Sequence, residues 1–192
     1  MLDQTSHKHE IGSHSRAGNA MERSRKALLD GAREAIAKNG LSATSMVDIA
    51  DFGRVARATL YNHFRSKEEL WQALILDEVE SASAVFRAQA TFESSLSALA
   101  SSIGANAMLR TIVRDDPATL VTLIRVNEAP IWKEIYRRFT LLAKERKVTD
   151  LAAVDLAFRW LISQVAYPLT PELVPSAAAV VARIAKLPAV LF

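Results

Sequence analysis

Cysteine is absent from all 192 residues, which removes disulfides, thiolate nucleophiles and Cys-ligated zinc or iron–sulfur sites from consideration. Glycine and proline are scarce, six of each, too few for the hairpins and bulges of an all-β chain. No apolar run reaches the about 18 residues of a membrane-spanning helix. The opening "MLDQTSHKHEIGSHSRAGNA" has no apolar segment of the signal-peptide kind. The expectation is a soluble, intracellular, cytoplasmic protein. Also missing are a G-x-S-x-G elbow, a P-loop and an H-E-x-x-H pair. The acidic pair Asp115-Asp116 adjoins a helix start, where capping accounts for it, so no enzyme and no cofactor are expected.

What is present is a chain that is 50% hydrophobic and rich in helix formers, with enough apolar surface for a substantial core. The reading is all-α. The formal net charge of +3 is too small to argue for nucleic acid. Its distribution says more, because Phe52 to Lys67 holds Arg54, Arg57, Arg65 and Lys67 and no acid.

Residues 1–20 show no periodicity and read as a flexible tail. It holds His7, His9 and His14, and without an ordered frame these are taken as solvated rather than as a metal site. A basic arm reaching DNA through Lys8, Arg16 and Arg23 is the alternative. A first helix is predicted over about 22–38, ended by Asn39-Gly40. A short second helix follows Thr44-Ser45, with Asp48 completing a capping box, and ends near Gly53. A third runs over about 57–64, and a fourth starts at Ser66 within "SKEE". Two short helices joined across a glycine, behind a longer support, form a helix-turn-helix pattern.

In that pattern the second helix enters the major groove and needs two unlike faces. Leu60, Phe64 and Val55 supply the inward one. The outward one carries Arg57, Tyr61, Asn62 and Arg65. Arg can grip guanine and Asn adenine bidentately, whereas Thr59 and the Tyr61 phenol suit phosphates. Ala56 and Ala58 permit close approach. The helix starts at Thr44-Ser45 and Ser66-Lys67 are candidate anion sites. His63 packing on the support, and Tyr61 as a half-buried aromatic, are competing readings.

The stretch "MVDIADFGRVARATLYNHFRSKEELWQALI" resembles the DNA-binding domain of TetR-type (tetracycline-repressor-type) transcriptional regulators over about residues 22–75. The T-L-Y-x-x-F followed by a capped K-E-E-L carries the likeness. The resemblance implies phosphate contacts at Thr44 and Lys67, and groove-facing Arg57, Ala58, Tyr61, Asn62 and His63. Two positions depart from the pattern. Gly53 lies one residue early, so Arg54 stands where the family has glycine and is a candidate backbone contact. Ala56 replaces the usual capping Ser.

The domain expectation is a tail over 1–20, a DNA-binding domain over 21–68 and a helical ligand-binding and dimerisation domain over 69–192. Within the last, helices are predicted for the continuation of the fourth, for about 92–109, for "PATLVTLIRVNEAP" and "IWKEIYRRFTLLAKERK", and for about 150–166 and 171–187. Phe86, Met108, Trp132, Tyr136, Phe139 and Trp160 are candidates for a pocket and equally for ordinary core, with Arg125, Asn127 and Glu128 as polar anchors. Val154, Phe158, Leu161, Ile162 and Val165 form one apolar stripe, and Leu173, Ala177, Val181, Ile184 and Ala185 another, as candidate dimer surfaces. The resemblance implies a homodimer on a palindromic double-stranded operator and a small-molecule effector. The function expected is a repressor released by that effector. An activator, or a binding module of the same fold without specific readout, are the alternatives.

Overall fold

The computed structural model describes residues 7–118 and 130–185, with side chains from residue 18 onward. In the order of the chain the helices are α1 (His7–Asn39), α2 (Met46–Phe52), α3 (Arg57–His63), α4 (Lys67–Arg87), α5 (Phe92–Ala105), α6 (Ala107–Asp115), α7 (Pro130–Glu145), α8 (Leu151–Ala166) and α9 (Val174–Ile184). The described residues contain no strand.

The local signals act where the chain chemistry places them. Gly40 takes φ +85° and closes α1 after Asn39. Ser45, Thr91, Asn106 and Asp150 each accept an N–H from the third residue of the helix they start. Two expectations need correction. The first helix begins at His7, not at about residue 22, so most of the expected tail is helical. No proline interrupts residues 7–39, and Ala, Arg and Glu sustain the helix beyond the point where packing begins at Leu28. The helix expected over 92–109 is two helices, bent by 57°. Asn106 causes the break: its side chain accepts the Leu109 N–H at 3.1 Å and so restarts the helix.

Two apolar clusters organise the chain. One joins Leu28, Ala32, Ala35 and Ile36 of α1 to Ile49 and Ala50 of α2, Leu60 of α3, and Leu70 and Leu74 of α4. Met108 and Ile112 of α6 also belong to it. The other gathers Phe86 of α4 with α5, α7, α8 and α9. Helix α4 therefore contributes to both cores, and α6 docks on α1, where Thr111 Oγ1 donates to the Ala37 carbonyl at 2.9 Å.

Arg33 ties these parts together. Its guanidinium donates to Asp30 at 2.8 Å, to Glu78 at 2.5 Å and to Asp77. Glu78 also accepts from the Asn106 side chain at 3.0 Å. Burial disfavours the Arg33 charge, but the hydrogen bonds to Asp77 and Glu78 outweigh it and raise its pKa.

Candidate nucleic-acid interface

The turn between α2 and α3 resolves the misplaced glycine. A Cβ at Gly31 would lie 2.7 Å from Gly53 Cα and closer still to its N, and one at Gly53 would lie 2.7 Å from the Ala27 carbonyl oxygen. Gly53 is therefore demanded by the contact of α1 with α2, and its own φ is an ordinary −72°. The left-handed position falls one residue later, on Arg54, at φ +51°. The turn keeps its left-handed corner, with Arg where Gly would be relaxed. The Val55 N–H then bonds the Ala50 carbonyl at 2.9 Å and delivers the chain to α3.

Helix α3 is divided as its periodicity predicts. Leu60 and, just past the helix, Phe64 are buried, each burial worth about 1.5–3 kcal/mol relative to exposure. Arg57, Ala58 and Asn62 are exposed, Tyr61 is 52% exposed, and Thr59 is half-buried. Arg57 meets Asp51 only loosely, at 4.0 Å between two exposed groups, so the pair holds Arg57 weakly. Ala56 begins α3 with no side-chain cap. Arg54 and Arg65 flank the helix, both exposed.

Thr44 and His63 sit otherwise than the resemblance implies, and Ser45 otherwise than its place at a helix start suggests. Thr44 is 0% exposed, and its hydroxyl donates to the Gly40 carbonyl at 2.6 Å, so it closes the α1–α2 corner instead of reaching a phosphate. Ser45 is exposed, but its hydroxyl donates to the Asp48 carboxylate at 2.6 Å and its N–H to the same group at 2.8 Å. The Ser45 hydroxyl and N–H hold the Asp48 carboxyl below the usual carboxylate range. An ionised carboxylate thus occupies the α2 start in place of an anion. His63 is half-buried: its Nε2 lies 2.7 Å from Ser24 Oγ of α1, and its ring tilts against Phe64 at 6.1 Å. At the last position of α3 it packs sideways onto the support and does not join the outward face.

Lys67 starts α4 half-buried, with Nζ 3.5 Å from the Leu41 carbonyl and 5.5 Å from the Trp71 ring centre. The Ser66 hydroxyl accepts the Glu69 N–H at 3.2 Å, while the Glu69 carboxylate reaches back to the Arg65 N–H at 2.8 Å. Sequence reasoning missed Ser24 and Arg25. The Arg25 guanidinium lies 5.5 Å above the Phe64 ring, a contact between residues 39 positions apart in the chain that no local pattern announces.

The candidate pocket residues do not converge. Phe86 and Phe139 are buried and touch edge-on at 6.3 Å, with Phe92 and Phe158 completing the aromatic core. Met108 belongs to the other cluster and lines an open cleft with Asp30, Arg33 and Glu34. Trp132, Tyr136 and Trp160 remain half-buried around the aromatic core, and Arg125, Asn127 and Glu128 lie outside the described residues. The dimer candidates also divide. Val154, Phe158 and Leu161 are buried within the protomer and cannot form an outer face. Ile162, Val165, Ala177, Val181 and Ala185 are half-buried, and Leu173 and Ile184 are exposed. The large apolar residues that α8 and α9 leave outside include Leu151, Leu156, Val180 and Ile184.

Two short helices at a fixed corner, the second presenting Arg, Tyr and Asn outward and a longer helix behind, define a helix-turn-helix DNA-binding fold. Residues 28–74 match the family described as bacterial regulatory proteins, tetR family. The HTH-type transcriptional regulator UidR of Escherichia coli (strain K12) is 44% identical over 63 residues, covering 33% of this chain and 32% of that protein. The HTH-type transcriptional regulator TtgR of Pseudomonas putida is 37% identical over 54 residues, 28% of this chain and 26% of that one. These matches therefore span about a third or less of the curated relatives. A TetR transcriptional regulator from Rhodococcus sp. RHA1 shares the fold across 88% of this chain and 99% of that one, with a TM-score of 0.55 and 19% identity. The likeness to the tetR family in sequence thus lies in residues 28–74, the segment that holds the helix-turn-helix, and the likeness of the remainder is one of fold.

Proposed function

We propose that the protein is a homodimeric, sequence-specific DNA-binding transcriptional regulator, a repressor released from its operator by a small molecule. The observation that carries this reading is the exposed face of α3, where Arg57, Ala58, Tyr61 and Asn62 stand clear of the core that Leu60 and Phe64 anchor. Arg57 and Asn62 read base edges, and Tyr61, Thr59, Arg54 and Lys67 bind phosphates. Lys67 must first leave its weak contact with the Leu41 carbonyl.

The dimer forms through the outer faces of α8 and α9, where Leu156, Val180 and Ile184 are 42%, 55% and 41% exposed. A two-fold axis there sets the spacing of the two α3 helices, which must be about 34–36 Å to enter successive major grooves. The effector sits in the C-terminal domain near Trp132, Tyr136 and Trp160. Its signal travels through α4, which runs unbroken between the cores, and through Arg33, which clamps α1 to α4. Only a ligand that binds the released arrangement more tightly drives release.

The test is selection of bound duplexes from a randomised pool at stated salt. Enrichment of an inverted repeat with half-sites one helical turn apart supports reader and dimer together. Sequence-blind enrichment contradicts the reading and leaves a binding module without specific readout. A reporter fused to the selected site separates repressor from activator.

A further inference from the structure

Helix α1 is far longer than its packing requires. Its 33 residues extend about 50 Å, yet the first buried residue is Leu28, and every position from Gly18 to Arg23 is exposed. The helix leaves the domain beside the end of α3, where Ser24 meets His63 at 2.7 Å and Arg25 covers Phe64. The stretch from His7 to Ser24 therefore projects about 25 Å from the recognition helix, the length of roughly seven base pairs.

Its sequence offers no apolar stripe with which to bury it against protein. Ile11 and Met21 are the only large apolar residues from 7 to 27, and Gly12 and Gly18 weaken a helix that has no packing to support it. Its charges, by contrast, are ordered. Residues 7–26 hold five Lys or Arg against two Glu. At the helical repeat, positions Lys8, Arg16, Asn19, Arg23 and Lys26 fall within one sector of about 80°. That sector lies opposite the positions of Leu28, Ala32 and Ala35, whose side chains are buried, and Asn19, Arg23 and Lys26 within it are exposed.

We infer that this projecting helix is a second DNA-binding element, which lays its basic stripe along the phosphates of the duplex flanking each half-site. The inference rests on the reading of α3 as the DNA reader, because that places the duplex where α1 emerges. The arm contributes affinity and a longer footprint and carries no base preference, since Lys and Arg on phosphates position without specifying.

The experiment compares the full chain with the full chain carrying Lys8→Gln, Arg16→Gln and Arg23→Gln, on a selected inverted repeat with ten-base-pair flanks and on the same repeat trimmed to the half-site edges. On the long duplex the triple variant is expected to bind at least about tenfold more weakly, with a salt slope shallower by about 0.9 for each phosphate no longer neutralised. On the trimmed duplex the two proteins are expected to bind alike, and an unchanged urea midpoint shows that the fold is intact. Equal affinity and slope on the long duplex overturn the inference while leaving the α3 reading in place. If the full chain selects no sequence at all, the α3 reading falls and this one with it.

Discussion

Replacing Arg54 by glycine should make the protein more stable and its grip on DNA weaker. Arg54 holds φ +51°, where an L-residue is disfavoured by about 1–2 kcal/mol. Glycine carries no such cost but gives up about 0.5–1 kcal/mol of extra chain entropy on folding. The difference is a net gain of roughly 0.5–1 kcal/mol, and for a chain of this size that raises the unfolding midpoint by about 1–4 °C. The Arg54 N–H bond to the Asp51 carbonyl, 3.2 Å, survives the change. Without the guanidinium each protomer neutralises one phosphate fewer, so the salt slope of operator binding should fall by about 0.9 per phosphate. Calorimetry and an anisotropy titration at several salt concentrations read the two effects separately. A lower midpoint would refute the strain at Arg54, and an unchanged slope would refute its phosphate contact. The opposite signs matter, since a change that merely damaged the turn would lower both.

The neighbouring glycines behave in the other direction. Gly31→Ala and Gly53→Ala each drive a Cβ to within 2.7 Å of backbone atoms, so chemical denaturation should show losses near or above the upper end of the usual range of about 1–3 kcal/mol for overpacking. Val180→Asp, on the outer face of α9, should shift sedimentation towards the monomer and weaken operator binding while leaving the protomer helical. Glu134 is paired with Arg137 and Arg138 at 2.8 and 2.7 Å, and hydrogen bonds first from Arg137 and then from Arg138 lower its pKa from 4.5 to about 2. A depressed carboxylate stabilises the fold above its unfolded pKa and loses that contribution as pH falls from about 4.5 through about 2. Glu134→Gln should therefore lose less stability than the parent across that window in acid unfolding followed by circular dichroism. Lys67→Ala should weaken binding to all duplexes alike and flatten the salt dependence, seen by titrating a specific and a scrambled site.

The bounds of α2, α3 and the start of α4 were legible because they rest on local chemistry: Gly40 in the left-handed region, and the hydroxyls of Ser45 and Ser66 accepting N–H groups three residues on. The split of α3 into a buried side of Leu60 and Phe64 and an open side of Arg57 and Asn62 followed from helical period alone. What local pattern could not supply was the partner. Thr44 reads as a cap yet turns inward because the α1–α2 corner closes over it. His63 is drawn to Ser24, which lies 39 positions earlier. Val154, Phe158 and Leu161 form a true apolar stripe, but periodicity does not say whether a stripe meets its own chain or a second copy, and here it meets Phe139 and α5. Met108 follows the same logic, since the break at Asn106 swings α6 onto α1. The glycine at position 53 looked misplaced only because its role is to admit α1, while the turn's left-handed conformation falls to Arg54.

That the outward face of α3 reads bases is the central claim, and parallel site selections with the parent and with Asn62→Ala test it most directly. Both proteins are expected to enrich the same inverted repeat, with Asn62→Ala losing preference at one symmetric position in each half-site, a loss of about 1–3 kcal/mol there. Identical base preferences at every position would contradict the role given to Asn62, and the same result with Arg57→Ala would mean that the selectivity lies outside this face of α3.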